Sequence, residues 1–307
     1  MNLSVERMPL TIVHHPDYDA KFPAHHRFPM GKYSLLMDAL DARGLLASAR
    51  LLTPDEPPPD VLTLAHAPGY VDQVLAASVP PAIEKEIGFP VSERVSRRAR
   101  MATAGTLLAA RVALRDGLAC NTAGGSHHAR RAHGAGFCTF NDVGVAGSAL
   151  LAEGAIGRAL VVDLDVHQGD GTADIFADEP RAFTFSMHAR SNYPVRKIPS
   201  DMDLSLPDGT SDEAYLSRLV AVLPVLLDYA QPDLVFYNAG VDPHREDKLG
   251  KLALTDEGLR LRDRTVLGFF RERGIPVCGV IGGGYSNDVP ALAARHAILF
   301  EEAARLA

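Results

Sequence analysis

The chain has 307 residues, 47% of them hydrophobic and 22% charged, a balance that supports a large buried core and excludes a disordered chain. A formal net charge of −7 argues against nucleic acid as a partner, since clustered Lys and Arg hold a phosphate backbone; mild acidity serves solubility and is compatible with a cationic substrate. Cys120, Cys138 and Cys278 form neither a CxxC nor an even-numbered framework, so no structural disulfide is expected and a cytoplasmic location fits.

Residues 1–10 include Glu6 and Arg7 and lack an apolar run, so no signal peptide is read there. No stretch approaches the roughly 18 uninterrupted apolar residues of a membrane span. There is no internal repeat. The proline-rich stretch 53–60 and another within 78–90 are too short to link domains, so residues 1–307 read as one domain. Residues 96–116 are a long amphipathic helix candidate closed by Gly117. Residues 159–166 and 182–188 read as buried strands, being rich in β-branched and aromatic residues. Residues 210–230 read as a helix, with Thr210 and Glu213 spaced as a capping box. Residues 233–240 are a third strand. Residues 255–273 are a helix that opens on Thr255, Asp256 and Glu257 and stops at Gly274. Residues 275–283 are a fourth strand. This alternation predicts an α/β fold: a mostly parallel, doubly wound sheet with helices on both faces. In such sheets functional residues collect at the carboxyl ends of strands.

Those strand ends carry the chemistry. In VDLDVHQGDG (162–171), Asp163, Asp165 and His167 alternate, and an extended chain points them to one side. Burying two acids and an imidazole together is costly unless they are paired or metal-bound, and carboxylate with imidazole suits zinc. A polar strand end capping the next helix is the plainer alternative; Asp170, a third acid, weighs against it. In GGSHHARRAHGAGFCTF (124–140), His127 and His128 follow a glycine pair and suit a general base and acid beside an activated water. A histidine pair alone is weak, because His14–His15 and His25–His26 are pairs too. In NAGVDPHREDKL (238–249), Asp242 is either a third metal ligand or a turn residue before proline. His244 is either a surface residue or a second ligand. In IGGGYSN (281–287), three glycines allow close backbone approach. Tyr285 either donates to a developing oxyanion or packs on a glycine turn.

Taken in order, GGxHH…GFC, DLDxHxGDG, the strand-end Asp and GGGY resemble the zinc-dependent histone deacetylase family, from about Val13 to near the C-terminus. HRFPMGKY (26–33), DLDVHQGDG, YNAG before Val241–Asp242 and KLGKLALT (248–255) make the chain look closest to the class IV type. Bacterial acetylpolyamine amidohydrolases share most of these motifs. The resemblance implies the arginase/deacetylase fold and a set of roles. Asp165, His167 and Asp242 would hold zinc. His128 would be the main general base and then acid, backed by Asp170; His127 would pair with Asp163. Tyr285 would stabilise the oxyanion. Phe137 and Tyr193, beside Gly136, would wall an acyl-lysine channel, and Gly283 would lie against the substrate. Asp163, Ser186, Met187 and backbone around Asp165 and His167 would match the family's structural potassium site. Arginase relatives carry another acid two positions after the histidine; here Gly169 stands there, which implies one zinc.

Two departures bear on the substrate. Ser126 replaces the aromatic residue frequent before the histidine pair, and 87–98 offers no clear acidic rim residue to hold a peptide backbone. The expected activity is hydrolysis of N-acyl-lysine, in a peptide or protein, or of a small N-acyl amine. The alternatives are an acetylpolyamine amidohydrolase and a catalytically silent acyl-binding protein. The sequence leaves the oligomeric state open.

Overall fold

A computed structural model describes residues 9–23 and 26–307. The signal-peptide reading falls mostly on residues outside this set, as does His25 of the second histidine pair. Among the described residues eight strands run β1 Thr11–Val13, β2 Arg50–Leu52, β3 Leu118–Asn121, β4 Ala159–Asp163, β5 Ala182–Ala189, β6 Met202–Leu206, β7 Leu234–Asn238 and β8 Val277–Val280. They form one sheet in the order β2-β1-β3-β8-β7-β4-β5-β6, and every pairing is parallel.

Helices cover both faces. Neighbouring residues of a strand point to opposite sides, and β8 shows what each side meets. Cys278 contacts Thr106 of the helix Glu93–Asp116. A Cβ at the next residue, Gly279, would meet Leu299 of the helix Val289–Ala304. The expected doubly wound α/β sheet is therefore the observed one. β3, β4, β7 and β8 are buried throughout, as strands covered on both faces must be. Among the described residues no helix is long and apolar enough to cross a membrane. The three cysteines are buried and unbridged.

Several boundaries follow side-chain chemistry that periodicity does not report. The long helix starts at Glu93, capped by Ser92, and ends on left-handed Gly117. Thr255 caps the helix Asp256–Arg271, accepting from Gly258 N. The capping box at Thr210 does not form. The Thr210 hydroxyl donates to Pro207 O at 2.7 Å, and the helix Asp212–Ala230 begins after Ser211. The strand expected over 159–166 stops at Asp163. There Asp163 Oδ1 accepts from Asp165 N at 3.1 Å, and Asp165 Oδ1 accepts from His167 N at 3.0 Å. Two successive Asp side chains thus fold the backbone back on itself. Asp165 and His167 sit on that turn rather than on an extended strand.

Parallel register sets the site. Asp163 lies beside Asn238 on β7 and Ser186 on β5, Asn238 beside Val280, and Val280 beside Asn121. The carboxyl ends of β3, β8, β7 and β4 are therefore level, with Ser186 of β5 beside them and β5 running on to Ala189. All four sequence motifs leave the sheet at this one edge.

Candidate active site

Asp165 and His167 on the turn after β4 meet Asp242, which follows β7. His167 Nδ1 lies 3.0 Å from Asp165 Oδ1 and 3.2 Å from Asp242 Oδ2. One ligand atom from each of the three falls within 4.8 Å of the others, and all three residues are buried. Backbone amides hold the carboxylates: Gly283 N donates to Asp165 Oδ2 at 2.7 Å and Val166 N to Asp242 Oδ1 at 2.9 Å. Only glycine fits at 283, since a Cβ there would stand 2.2 Å from Asp242 Oδ2 and 2.6 Å from Asp165 Oδ2.

The charges in this group call for a cation. Burial and the neighbouring Asp165 push Asp242 up to about 7. His167 is buried too, yet Asp165 and Asp242 raise it to about 10. The acids thus keep a proton on the imidazole for want of a better counter-charge. A divalent ion in place of that proton would satisfy two carboxylates and one imidazole nitrogen, a donor set that suits zinc.

Two His–Asp pairs flank this group. His127 Nδ1 lies 2.6 Å from Asp163 Oδ2. Burial disfavours its charged form, but Asp163 and Asp165 outweigh burial and raise it to about 9. His128 Nδ1 lies 2.7 Å from Asp170 Oδ1. Here burial dominates, His127 adds to it, and the imidazole falls to about 4. Asp170 is held below the usual carboxylate range by the His128 contact and by Arg130, which overcome its burial. The ionised Asp170 accepts from His128 Nδ1–H, so Nε2 carries the ring's lone pair.

The loop that bears the histidines is anchored by residues the motifs did not single out. Asp142 accepts from Gly125 N at 3.1 Å, Ser126 N at 2.8 Å and Thr106 Oγ1 at 2.6 Å. His66 Nε2 accepts from Asn141 N at 2.9 Å, and His66 Nδ1 lies 2.9 Å from Arg130 O. Asn238 Nδ2 donates to Asp163 Oδ1 at 2.9 Å. Lys32 is fully buried and donates to Gly282 O at 3.1 Å, bracing the glycine turn. Asn141 had a readable signal as the cap of the helix Asp142–Ala152. Lys32 lies within the HRFPMGKY stretch, but nothing there marked its role, and His66 had no signal at all, because their partners lie far away in sequence.

Above the group lies a cavity of about 410 Å³ whose walls include His128, Gly136, Phe137, His167, Tyr193 and Tyr285. Tyr193 stands edge-on to His128 with ring centroids 4.8 Å apart. Phe137 lies 5.7 Å from Tyr285, and Tyr285 lies 6.2 Å from His167. Burial, then Asp242 and Asp165, raise the Tyr285 hydroxyl well above its ordinary value, so it stays a donor. Gly136 has a left-handed backbone, and a Cβ there would stand 2.5 Å from His128 Cδ2. Glu86 also lines this cavity, one residue ahead of the stretch 87–98 in which the sequence offered no rim acid.

Ser186 and Asp163 are neighbours in register. Ser186 Oγ lies 3.0 Å from His188 Nδ1 and accepts from Gly169 N at 3.4 Å. Met187, next along β5, is buried and faces the other side of the sheet. His244 stands apart from the three-residue group. Its Nδ1 accepts from Glu246 N at 3.1 Å and its Nε2 lies 3.3 Å from Asp256.

A fully parallel sheet carries at one edge a buried Asp–His–Asp group that could hold a metal ion, beside two His–Asp pairs. Residues 26–299 match the histone deacetylase domain. An uncharacterized protein of Picosynechococcus is 47% identical over 96% of this chain and 99% of its own. Histone deacetylase 2 of Arabidopsis thaliana is 30% identical, covering 90% of this chain and 74% of its own. A probable deacetylase of Methanothermobacter thermautotrophicus is 28% identical over 91% of this chain and 86% of its own. Among solved structures, the HDA15 HD domain superposes with a TM-score of 0.80 at 21% identity, covering 95% of this chain and 90% of that one. The chain belongs to the histone deacetylase domain family, and is a deacetylase-type hydrolase.

Proposed function

We propose that the chain is a zinc-dependent deacylase that hydrolyses the amide of N-acyl-lysine or a related N-acyl amine. One observation carries this reading: the buried Asp165–His167–Asp242 group lies at a cavity that also presents His128 and Tyr285. Asp165 Oδ, His167 Nδ1 and Asp242 Oδ would hold the ion. When bound, zinc supplies a Lewis acid that acidifies water and polarises the acyl carbonyl.

The chain's own residues do the rest. His128, neutral at pH 7, takes a proton from the attacking water on Nε2 and later gives it to the leaving amine. Asp170 fixes the tautomer that leaves Nε2 available. His127, held charged between Asp163 and Asp165, places positive charge beside the reacting carbonyl. The Tyr285 hydroxyl donates to the oxygen that becomes negative. Phe137 and Tyr193 cover the methylenes of the acylated side chain, each worth roughly 0.8 kcal/mol when buried. A structural potassium ion at Asp163, Ser186 and nearby backbone carbonyls belongs to the same reading, as does a cytoplasmic location.

The test is hydrolysis of acyl-lysine peptides, from acetyl to myristoyl, and of N-acetylputrescine by the zinc-loaded protein. Turnover of any member that a chelator removes and zinc restores supports the reading, and the preferred member assigns the substrate. Bound zinc with no turnover across the series would shift the function to acyl binding or to another amide.

A further inference from the structure

The mouth of the cavity carries a charge opposite to that of the molecule. The chain has a formal net charge of −7, yet the residues lining the cavity include Arg27, Lys85 and Lys251 against one carboxylate, Glu86. All four are exposed. The side chains of Arg27 and Lys85 make no hydrogen bond or ion pair among the described residues. Lys251 is partly engaged: its Nζ donates to Ser191 Oγ at 2.9 Å and lies 3.9 Å from Asp208. Glu86 is drawn towards His133, whose Nδ1 lies 3.5 Å away. The cations lie on both sides of the opening. Arg27 is next to Phe28, whose ring lies 5.5 Å from that of Phe137, and Lys85 is two residues from Ile87, whose carbonyl accepts from Phe137 N; Lys251 is two residues past Leu249 and touches the loop that carries Tyr193. A cleft with apolar walls and an excess of one sign of charge at its rim focuses the field onto whatever waits there.

An acylated side chain threaded between Phe137 and Tyr193 leaves the remainder of its substrate at this rim. We propose that the mouth selects N-acyl amines whose flanking groups are anionic: an acyl-lysine set among Asp and Glu residues rather than among Lys and Arg. Resting on the deacylase reading, this assigns the substrate class of the same site. A second ammonium, as in an N-acyl polyamine, or a basic peptide would meet Arg27 and Lys85 as like charges. Carboxylates would supply the partners these two side chains lack.

Three peptides decide it, each with one central acetyl-lysine, flanked by Asp and Glu, by Ala and Gly, or by Lys and Arg. They are compared on the zinc-loaded protein at low and high salt, beside the Arg27→Glu/Lys85→Glu double variant. Binding of fluorescent forms to Tyr285→Phe protein gives a readout that needs no turnover. The expected order of kcat/KM is acidic, neutral, basic, with roughly 10-fold or more between the extremes at low salt. Salt should narrow the gap, and the double variant should abolish or invert it. Equal or better turnover of the basic peptide overturns the rim proposal and leaves the deacylase reading standing. No turnover of any peptide, with acidic-first binding that the double variant loses, overturns the deacylase reading alone. No turnover and no charge order in binding overturns both.

Discussion

Asp170 Oδ1 lies 2.7 Å from His128 Nδ1, and Asp170 Oδ2 lies 2.7 Å from Arg130 Nη2. One buried carboxylate thus fixes the histidine tautomer while an arginine holds it ionised. Asp170→Asn can still touch His128, but its amide no longer demands a proton on Nδ1. Turnover should fall by roughly 10- to 100-fold, while bound metal, measured by elemental analysis, stays at the wild-type level. Loss of metal in this variant would place Asp170 in the metal site's support instead.

On the proposed zinc-dependent reading, the charge state of Asp242 would make the metal a folding ligand as well as a catalyst. Without a cation, Asp165 and Asp242 face each other across one imidazole, and burial holds Asp242 up at about 7. Zinc that binds this folded arrangement in preference to the unfolded chain should raise Tm. Chelation should lower the wild-type Tm by several degrees and abolish activity. His167→Ala should bind no zinc, show no activity and have the same Tm with and without chelator. A Tm in wild type that ignores both zinc and chelator would remove the ion from this site.

Tyr285 is set apart from the ligands by what its loss should spare. Its ring packs on Phe137 and Phe28, and Tyr285→Phe keeps those contacts. Metal content and Tm should not change, and kcat should drop by roughly 100-fold or more. A wild-type kcat would leave Tyr285 as a packing residue on the glycine turn.

The sequence made β4, β5, β7 and β8 legible because each is a buried apolar run that closes on polar or glycine residues. β1, β2 and β3 carried no such signal, being three or four residues long without a long apolar run around them, and neither did β6, whose residues alternate between partly buried and exposed. Asp165 and His167 were readable as a pair, but their geometry was not. The turn after Asp163 rests on side-chain-to-backbone bonds, and alternation in the sequence looks the same in a strand. The anchors were the least legible. Lys32 reaches Gly282, 250 positions away, and His66 reaches Asn141, 75 positions away. Nothing local marks such residues.

His66 also predicts how the fold responds to acid. Its Nε2 accepts from Asn141 N, so Nδ1 carries the proton and donates to Arg130 O. Burial lowers this imidazole to about 4, against roughly 6.5 in the unfolded chain. Between those values the unfolded state binds a proton that the native state refuses. Stability should therefore fall as pH drops from about 6.5 towards about 4, by at most about 1.4 kcal/mol per pH unit for this group. His14, His128 and His188 are likewise lowered to about 4 and act in the same direction, so the wild-type slope sums several sites. His66→Gln isolates one of them. Its amide can accept from Asn141 N and donate to Arg130 O, but it does not titrate. The variant should be less stable at pH 7, where the better-fitting ring is lost, and should lose less stability on acidification. Denaturant titrations of both proteins at pH 7, 6 and 5 measure the two slopes. Parallel slopes would mean that His66 binds its proton equally well in the folded and unfolded chain.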